Sequence, residues 1–155
     1  MIPVKEVMTR DVITFKDDTP VDELAKTLAL KHITGAPVVA ADGHVVGIVS
    51  EVDVFSKKGK LARDIMSSHV ITVSEDTGID EAARLLIGER IRRVPVMKKG
   101  KMVGLLSRSD VLEFFATTRW ICDVCGHWER GLEMPERCHS CSSTNMHLER
   151  GDPGH

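Results

Sequence analysis

Apolar residues Val21, Leu24, Ala25 and Leu28 follow the three- and four-residue spacing that lines one face of an α-helix. The stripe returns as Ile79, Ala82, Ala83 and Leu86. A β-branched run precedes each stripe, VITF at 12–15 and VITV at 70–73, and each predicts a strand. Thr19 is expected to cap the first helix, with Pro20 at its first position and Asp22 three residues after the cap. Thr77 and Asp80 repeat that spacing. Two more apolar runs follow each stripe, APVVA with VVGIVS and RVPVM with MVGLLS. Asp42-Gly43 and Lys99-Gly100 predict the hairpin turns between them. A second helix then closes each copy, ending in VLEFFA in the second.

These elements form an internal repeat. An offset of 58 superposes VMTRDVITF (7–15) on IMSSHVITV (65–73), Asp22-Glu23 on Asp80-Glu81, and Pro37 on Pro95. Beyond a turn one residue shorter in the second copy, the offset is 57, matching Gly47 with Gly104 and Asp53 with Asp110. Each copy reads strand–helix–strand–strand–helix, a unit too small to cover its own sheet. The expected fold is therefore α/β, with tandem motifs at 1–58 and 59–117 packed as one pseudo-symmetric module.

Composition changes near position 118. All four cysteines lie between 122 and 141, and both tryptophans, Trp120 and Trp128, also fall in the last stretch. The expected organisation adds a small four-cysteine domain at 118–149 and a disordered tail at 150–155. The net charge of −2 removes the class of nucleic-acid binders dominated by basic charge. No apolar run approaches the roughly 20 residues of a membrane span, and MIPVKEVMTRDV lacks the apolar segment of a signal peptide. The cytoplasm, with no membrane partner, is the expected address.

The phrase GIVSEVDV at 47–54 returns as GLLSRSDV at 104–111. Ser50-x-x-Asp53 and Ser107-x-x-Asp110 each have capping-box spacing at a strand-to-helix turn, which accounts for them without any ligand. A helix start also offers amide donors suited to phosphate, and a carboxylate can accept both hydroxyls of a ribose. Neither serine has a base partner visible in the sequence. No Walker-type loop or HExxH occurs, so a non-enzymatic role is expected.

The tandem unit resembles the CBS motif, which occurs in pairs as the regulatory Bateman module. Met8-Thr9, Met66-Ser67, the Pro37 and Pro95 strands and the two G-h-h-S-x-x-D phrases carry the resemblance over residues 3–117. It implies two clefts that bind adenine nucleotides (AMP, ADP, ATP) or S-adenosylmethionine, and association into a flat homodimer. It also implies that Asp53 and Asp110 take ribose, with Ser50 and Ser107 near phosphate. Thr14 and Thr72 would line the base pockets. The second copy carries Arg90, Arg92 and Arg93 before its proline and Arg108 inside SRSD, where the first has HITGAP and SEVD. Arginine forks suit phosphate, so the second motif ranks as the better site.

Cys122, Cys125, Cys138 and Cys141 form C-x2-C-x12-C-x2-C, two knuckles able to bring four thiolates to one zinc or iron ion. So short a unit needs such a staple, with Trp120 and Trp128 expected as its miniature core. The run from Trp120 through Gly126, Gly131, Pro135 and Glu136 to Cys141 resembles the rubredoxin-like ribbon of rubrerythrins, which carries iron. His139 and Ser142 depart from that pattern. His127, His139 and His147 are not needed as ligands. The expected function is a ligand-sensing regulator or adaptor with an unidentified protein partner. The alternatives are a rubredoxin-like one-electron carrier and a nucleic-acid-binding transcriptional regulator. The second is disfavoured by six acidic residues against four arginines from 118 onward.

Overall fold

The structure is a computed structural model that describes residues 1–151. In the first copy, helix α1 (Val21–Leu30) is followed by strands β1 (Gly35–Val39) and β2 (Val45–Ser50) and by α2 (Glu51–Ser56). A short α3 (Ala62–Ile65) and β3 (Val73–Ser74) open the second copy. It continues with α4 (Ile79–Gly88), β4 (Arg93–Lys98), β5 (Lys101–Ser107) and α5 (Arg108–Thr117). The last region holds β6 (Thr118–Cys122), β7 (Trp128–Glu129) and β8 (Met146–Arg150). No helix among the described residues is long and apolar enough to cross a membrane.

The described residues divide into two compact units that do not follow chain order. Unit 1 holds residues 1–8, 75–94 and 106 onward; unit 2 holds 9–74 and 95–105. A reciprocal exchange explains the division. In unit 1 the amides of Val4 and Lys5 donate to Thr77 and Glu75, and Ile79 donates to Ile2. In unit 2 the repeat-equivalent amides of Ala62 and Arg63 donate to Thr19 and Asp17, and Val21 donates to Lys60. The opening turn of each copy, Val4–Glu6 or α3, therefore docks at the helix entry of the other copy.

This docking overturns the predicted caps. Thr19 Oγ1 accepts from Lys16 N at 3.0 Å, and the α1 N-cap is Pro20. The α4 N-cap is Gly78, not Thr77. The Val21 and Ile79 amides, the nearest donors to a cap at Thr19 or Thr77, already have carbonyl partners in the exchanged segments. The VITF strand shrinks to one bridge, Phe15 to Val38, and the VITV strand to β3 beside β4.

In unit 2, β1 pairs antiparallel with β2, and Phe15, Leu24, Leu28, Ala36, Val38, Val49, Ala62 and Ile65 form a buried cluster. Unit 1 buries Val4, Ile79, Ala82, Leu86 and Leu106. Burying one such large aliphatic side chain stabilises by about 1.5–3 kcal/mol. The second hairpin turns at Lys99 and Gly100, both with positive φ (51° and 79°), which fits its shorter loop. Both α1 and α4 end in a left-handed residue without glycine, His32 (φ 54°) and Arg90 (φ 55°). The following amides, Ile33 and Ile91, return to Leu28 and Leu86, a Schellman closure.

Candidate functional site

Both Ser-x-x-Asp phrases form capping boxes. Ser50 Oγ accepts Asp53 N at 3.4 Å while Asp53 Oδ2 accepts Ser50 N at 2.8 Å. Ser107 Oγ accepts Asp110 N at 3.2 Å while Asp110 Oδ2 accepts Ser107 N at 2.9 Å. Each cap stabilises its helix by about 1 kcal/mol. The next amide in each motif is also taken: Glu51 N donates to Thr34 O at 2.9 Å and Arg108 N to Arg92 O at 3.0 Å. At the start of α5, this leaves the Ser109 amide as the first-turn donor without a partner among the described residues.

In unit 1 the structure brings Ser107, Arg108, Asp110 and Arg92 to one place, where β4 begins and β5 passes into α5. Arg108 Nε donates to Ile91 O at 2.9 Å, so this arginine braces the motif as well as presenting charge. Arg92 is exposed; Arg93 is half-buried and engaged in an interaction of its own. Thr14 and Thr72 are exposed and belong to unit 2, as do Ser50 and Asp53. Sequence reading missed Lys57, whose Nζ lies 2.9 Å from Asp53 Oδ1. The four-residue spacing of aspartate and lysine was the available signal.

The second candidate site lies in the ribbon, where β6 pairs antiparallel with β7 on one side and β8 on the other. The Sγ atoms of Cys122, Cys125, Cys138 and Cys141 lie within 4.8 Å of one another. Cys122 and Cys141 stand 3.5 Å apart and Cys125 and Cys138 3.6 Å apart. A disulfide needs about 2.05 Å. Four sulfurs each about 2.3 Å from a central zinc are separated by nearly the distances seen here. The all-thiol donor set fits zinc or iron. The knuckles match: Gly126 N donates to Cys122 O and Ser142 N to Cys138 O, with φ of 78° and 65°. Val124 N and Ser140 N point at Cys122 Sγ and Cys138 Sγ, each at 3.4 Å.

Two of the thiols are shifted in opposite directions by their surroundings. The Cys125 amide, ahead of that of Val124, draws the Cys122 thiol down to about 6 against the effect of burial. At Cys141 the Ser143 amide favours the thiolate, but burial and the neighbouring cysteines push the thiol up to about 12. The histidines have other partners: His139 Nδ1 and His127 Nε2 face Glu129, and His147 Nδ1 faces Asp123.

Two expectations for this region change. Trp120 is buried and its Nε1 donates to Gly131 O, but Trp128 is 46% exposed and forms no core. The guanidinium carbons of Arg119 and Arg130 sit 5.1 and 5.3 Å from its ring centroid, so cation–π contacts hold it at the surface. Arg150, expected in the tail, ends β8, and Gly151 N donates to Thr117 O. The rest of the predicted tail, 152–155, lies outside the described residues.

Comparison with known proteins places the repeat. The family model for the CBS domain matches residues 4–59 and 62–117. Inosine-5'-monophosphate dehydrogenase of Thermoplasma acidophilum is 38% identical over 68% of this chain and 22% of its own length. Uncharacterized protein MK0525 of Methanopyrus kandleri is 36% identical over 72% of this chain and 62% of its own. The chain thus spans less than two thirds of these curated relatives. The solved structure of CBSX2 in complex with AMP has a TM-score of 0.70 at 31% identity, covering 72% of this chain and 94% of that one. The CBS domain pair of protein MJ0100, in complex with 5-methylthioadenosine and S-adenosyl-L-methionine, has a TM-score of 0.69 at 28% identity. It covers 75% of this chain and 97% of that one. Matched over both copies of its repeat, the chain belongs to the CBS-domain family.

Proposed function

We propose that this chain is a regulatory sensor of adenine nucleotides, read chiefly by its second motif, with a metal-stabilised ribbon that serves stability and partner contact. One observation carries the reading: the start of α5 holds Ser107, Arg108 and Asp110 beside Arg92, whose carbonyl accepts the Arg108 amide, within one compact unit. These are the groups that ribose and phosphate require. Relatives solved with AMP and with S-adenosyl-L-methionine support the ligand class. The role is binding rather than catalysis: Ser107 Oγ meets Asp110 N and Ser109 Oγ, not a base. The clustered thiols suit a reducing compartment such as the cytoplasm.

The ribbon holds zinc or iron through Cys122, Cys125, Cys138 and Cys141, and the ion supplies the folding energy that so small a core lacks. Two copies associate through helix faces that leave Val52 and Phe55 exposed in the first motif and Leu112 and Phe115 in the second. Calorimetric titration of AMP, ADP, ATP and S-adenosylmethionine into the metal-loaded protein tests the central reading. Saturable binding that disappears in Asp110→Ala supports it; no binding by any of the four overturns it.

A further inference from the structure

We infer that the outer edge of β8 pairs antiparallel with β8 of a second copy, joining two three-stranded ribbons into one continuous sheet. The inference names a partner for the ribbon contact proposed above and holds whether or not a nucleotide binds.

The ribbon sheet runs β7-β6-β8, so β8 (Met146–Arg150) is an edge strand. In an antiparallel pair, hydrogen bonds fall on alternate residues. Asp123 N donates to Asn145 O and Gly151 N to Thr117 O, which turns the odd-numbered residues of β8 toward β6. Cys122 N donates to His127 O, so the even-numbered residues of β6 serve β7 instead. The amides and carbonyls of Met146, Leu148 and Arg150 therefore face outward, and among the described residues β8 has no strand partner besides β6. Its register is unbroken over five residues, with no proline or bulge to blunt the edge. The opposite edge, β7, is only two residues long.

Set antiparallel against itself, MHLER is self-complementary about Leu148. Leu148 meets Leu148 and Met146 meets Arg150, and these pairs use the outward amides and carbonyls. His147 meets Glu149 at the positions between, where cross-strand side chains come closest. Both side chains are open to solvent, His147 at 53% and Glu149 at 46%. His147 Nδ1 faces Asp123, and Arg119 donates to Glu149 through Nε and Nη2. The pairing would thus set His147 between its own Asp123 and the second copy's Glu149. Slipping the register by one step sets His147 against His147 or Glu149 against Glu149, so the pattern selects one alignment. Five residues a side is far less than a stable interface buries, so this contact adds to the helix-face pairing at high protein concentration.

The test is sedimentation velocity of the metal-loaded full chain at rising concentration, with amide exchange followed residue by residue by NMR. Tryptophan fluorescence checks that each variant keeps its ribbon. The wild-type chain should grow past the species its helix faces form, while exchange slows at Met146, Leu148 and Arg150. Leu148→Pro, which deletes one outward amide and no bond to β6, should abolish that growth. His147→Glu, which sets carboxylates opposite each other at two places, should weaken it roughly tenfold. Growth without slower exchange at these three amides puts the contact elsewhere and overturns the proposal. So does unchanged growth in a folded Leu148→Pro variant. No growth at all leaves the edge to a strand of another protein and also overturns it. Should Leu148→Pro disturb the tryptophans, His147→Glu decides, and association equal to wild type overturns the proposal. A wild type that is monomeric when dilute, yet pairs through these amides when concentrated, would sink the helix-face reading alone.

Discussion

Arg130 Nη1 donates to the Thr118 carbonyl at 2.9 Å, so the ribbon closes the end of the helix that Ser107 opens. Gly151 N reaches the Thr117 carbonyl, and Thr118 Oγ1 donates to Phe114 O from a side chain that is buried. A helix leaves its last carbonyls without partners, and here the ribbon and the strand leading into it supply several. The α5 helix thus joins the aspartate of the second motif to the first cysteine knuckle with no linker between them.

Removing the metal tests that join. Only Trp120, Cys122 and Cys138 are buried hydrophobic positions between 119 and 150, too few to hold a ribbon without the ion. Chelation, or Cys138→Ser, should unfold the ribbon while the repeat keeps its helices. Both tryptophans lie in the ribbon, so their fluorescence reports it alone. AMP affinity should fall about fivefold or more as the end of α5 loosens. Unchanged tryptophan emission in excess chelator would remove the metal from the account of the ribbon's stability.

Ser142 sits at φ 65°, a left-handed conformation that glycine adopts without penalty. Its counterpart in the first knuckle is Gly126. Ser142→Gly should therefore stabilise the metal-loaded ribbon by about 0.5–1 kcal/mol, the gain being reduced by glycine's greater freedom in the unfolded chain. The check is the ribbon's unfolding midpoint, followed by tryptophan fluorescence. A lower midpoint would mean that the serine hydroxyl contributes more than its backbone costs.

Phe55 is 82% exposed and Leu112, its equivalent in the repeat, 66%. Phe55→Glu and Leu112→Glu should convert a dimer to monomers in sedimentation velocity, with little change in the unfolding midpoint, since neither side chain supports its own unit. A wild-type chain that sediments as a monomer at every concentration would contradict the paired-helix reading.

The helical stripes were legible because Leu24, Leu28, Ala82 and Leu86 pack on one face, and periodicity encodes that directly. The capping boxes were legible because serine and aspartate act within four residues of each other. Thr19 and Thr77 misled because their helix entries are filled by backbone from the other copy, a long-range event that local spacing does not record. The turn at Ala62–Ile65 escaped for the same reason: Asp64 Oδ2 ties it to Lys60 and Leu61, but its role is to dock beside α1. Cysteine spacing announced the cluster of four thiols. The outward turn of Trp128 depended on Arg119 and Arg130 flanking it, which composition alone does not convey.

Amide hydrogen exchange of the metal-loaded chain, with and without saturating AMP, tests the central claim most directly. Exchange should slow at residues 107–111, led by the Ser109 amide, and stay unchanged at 50–54. Protection confined to 50–54, or absent from both phrases, would contradict it.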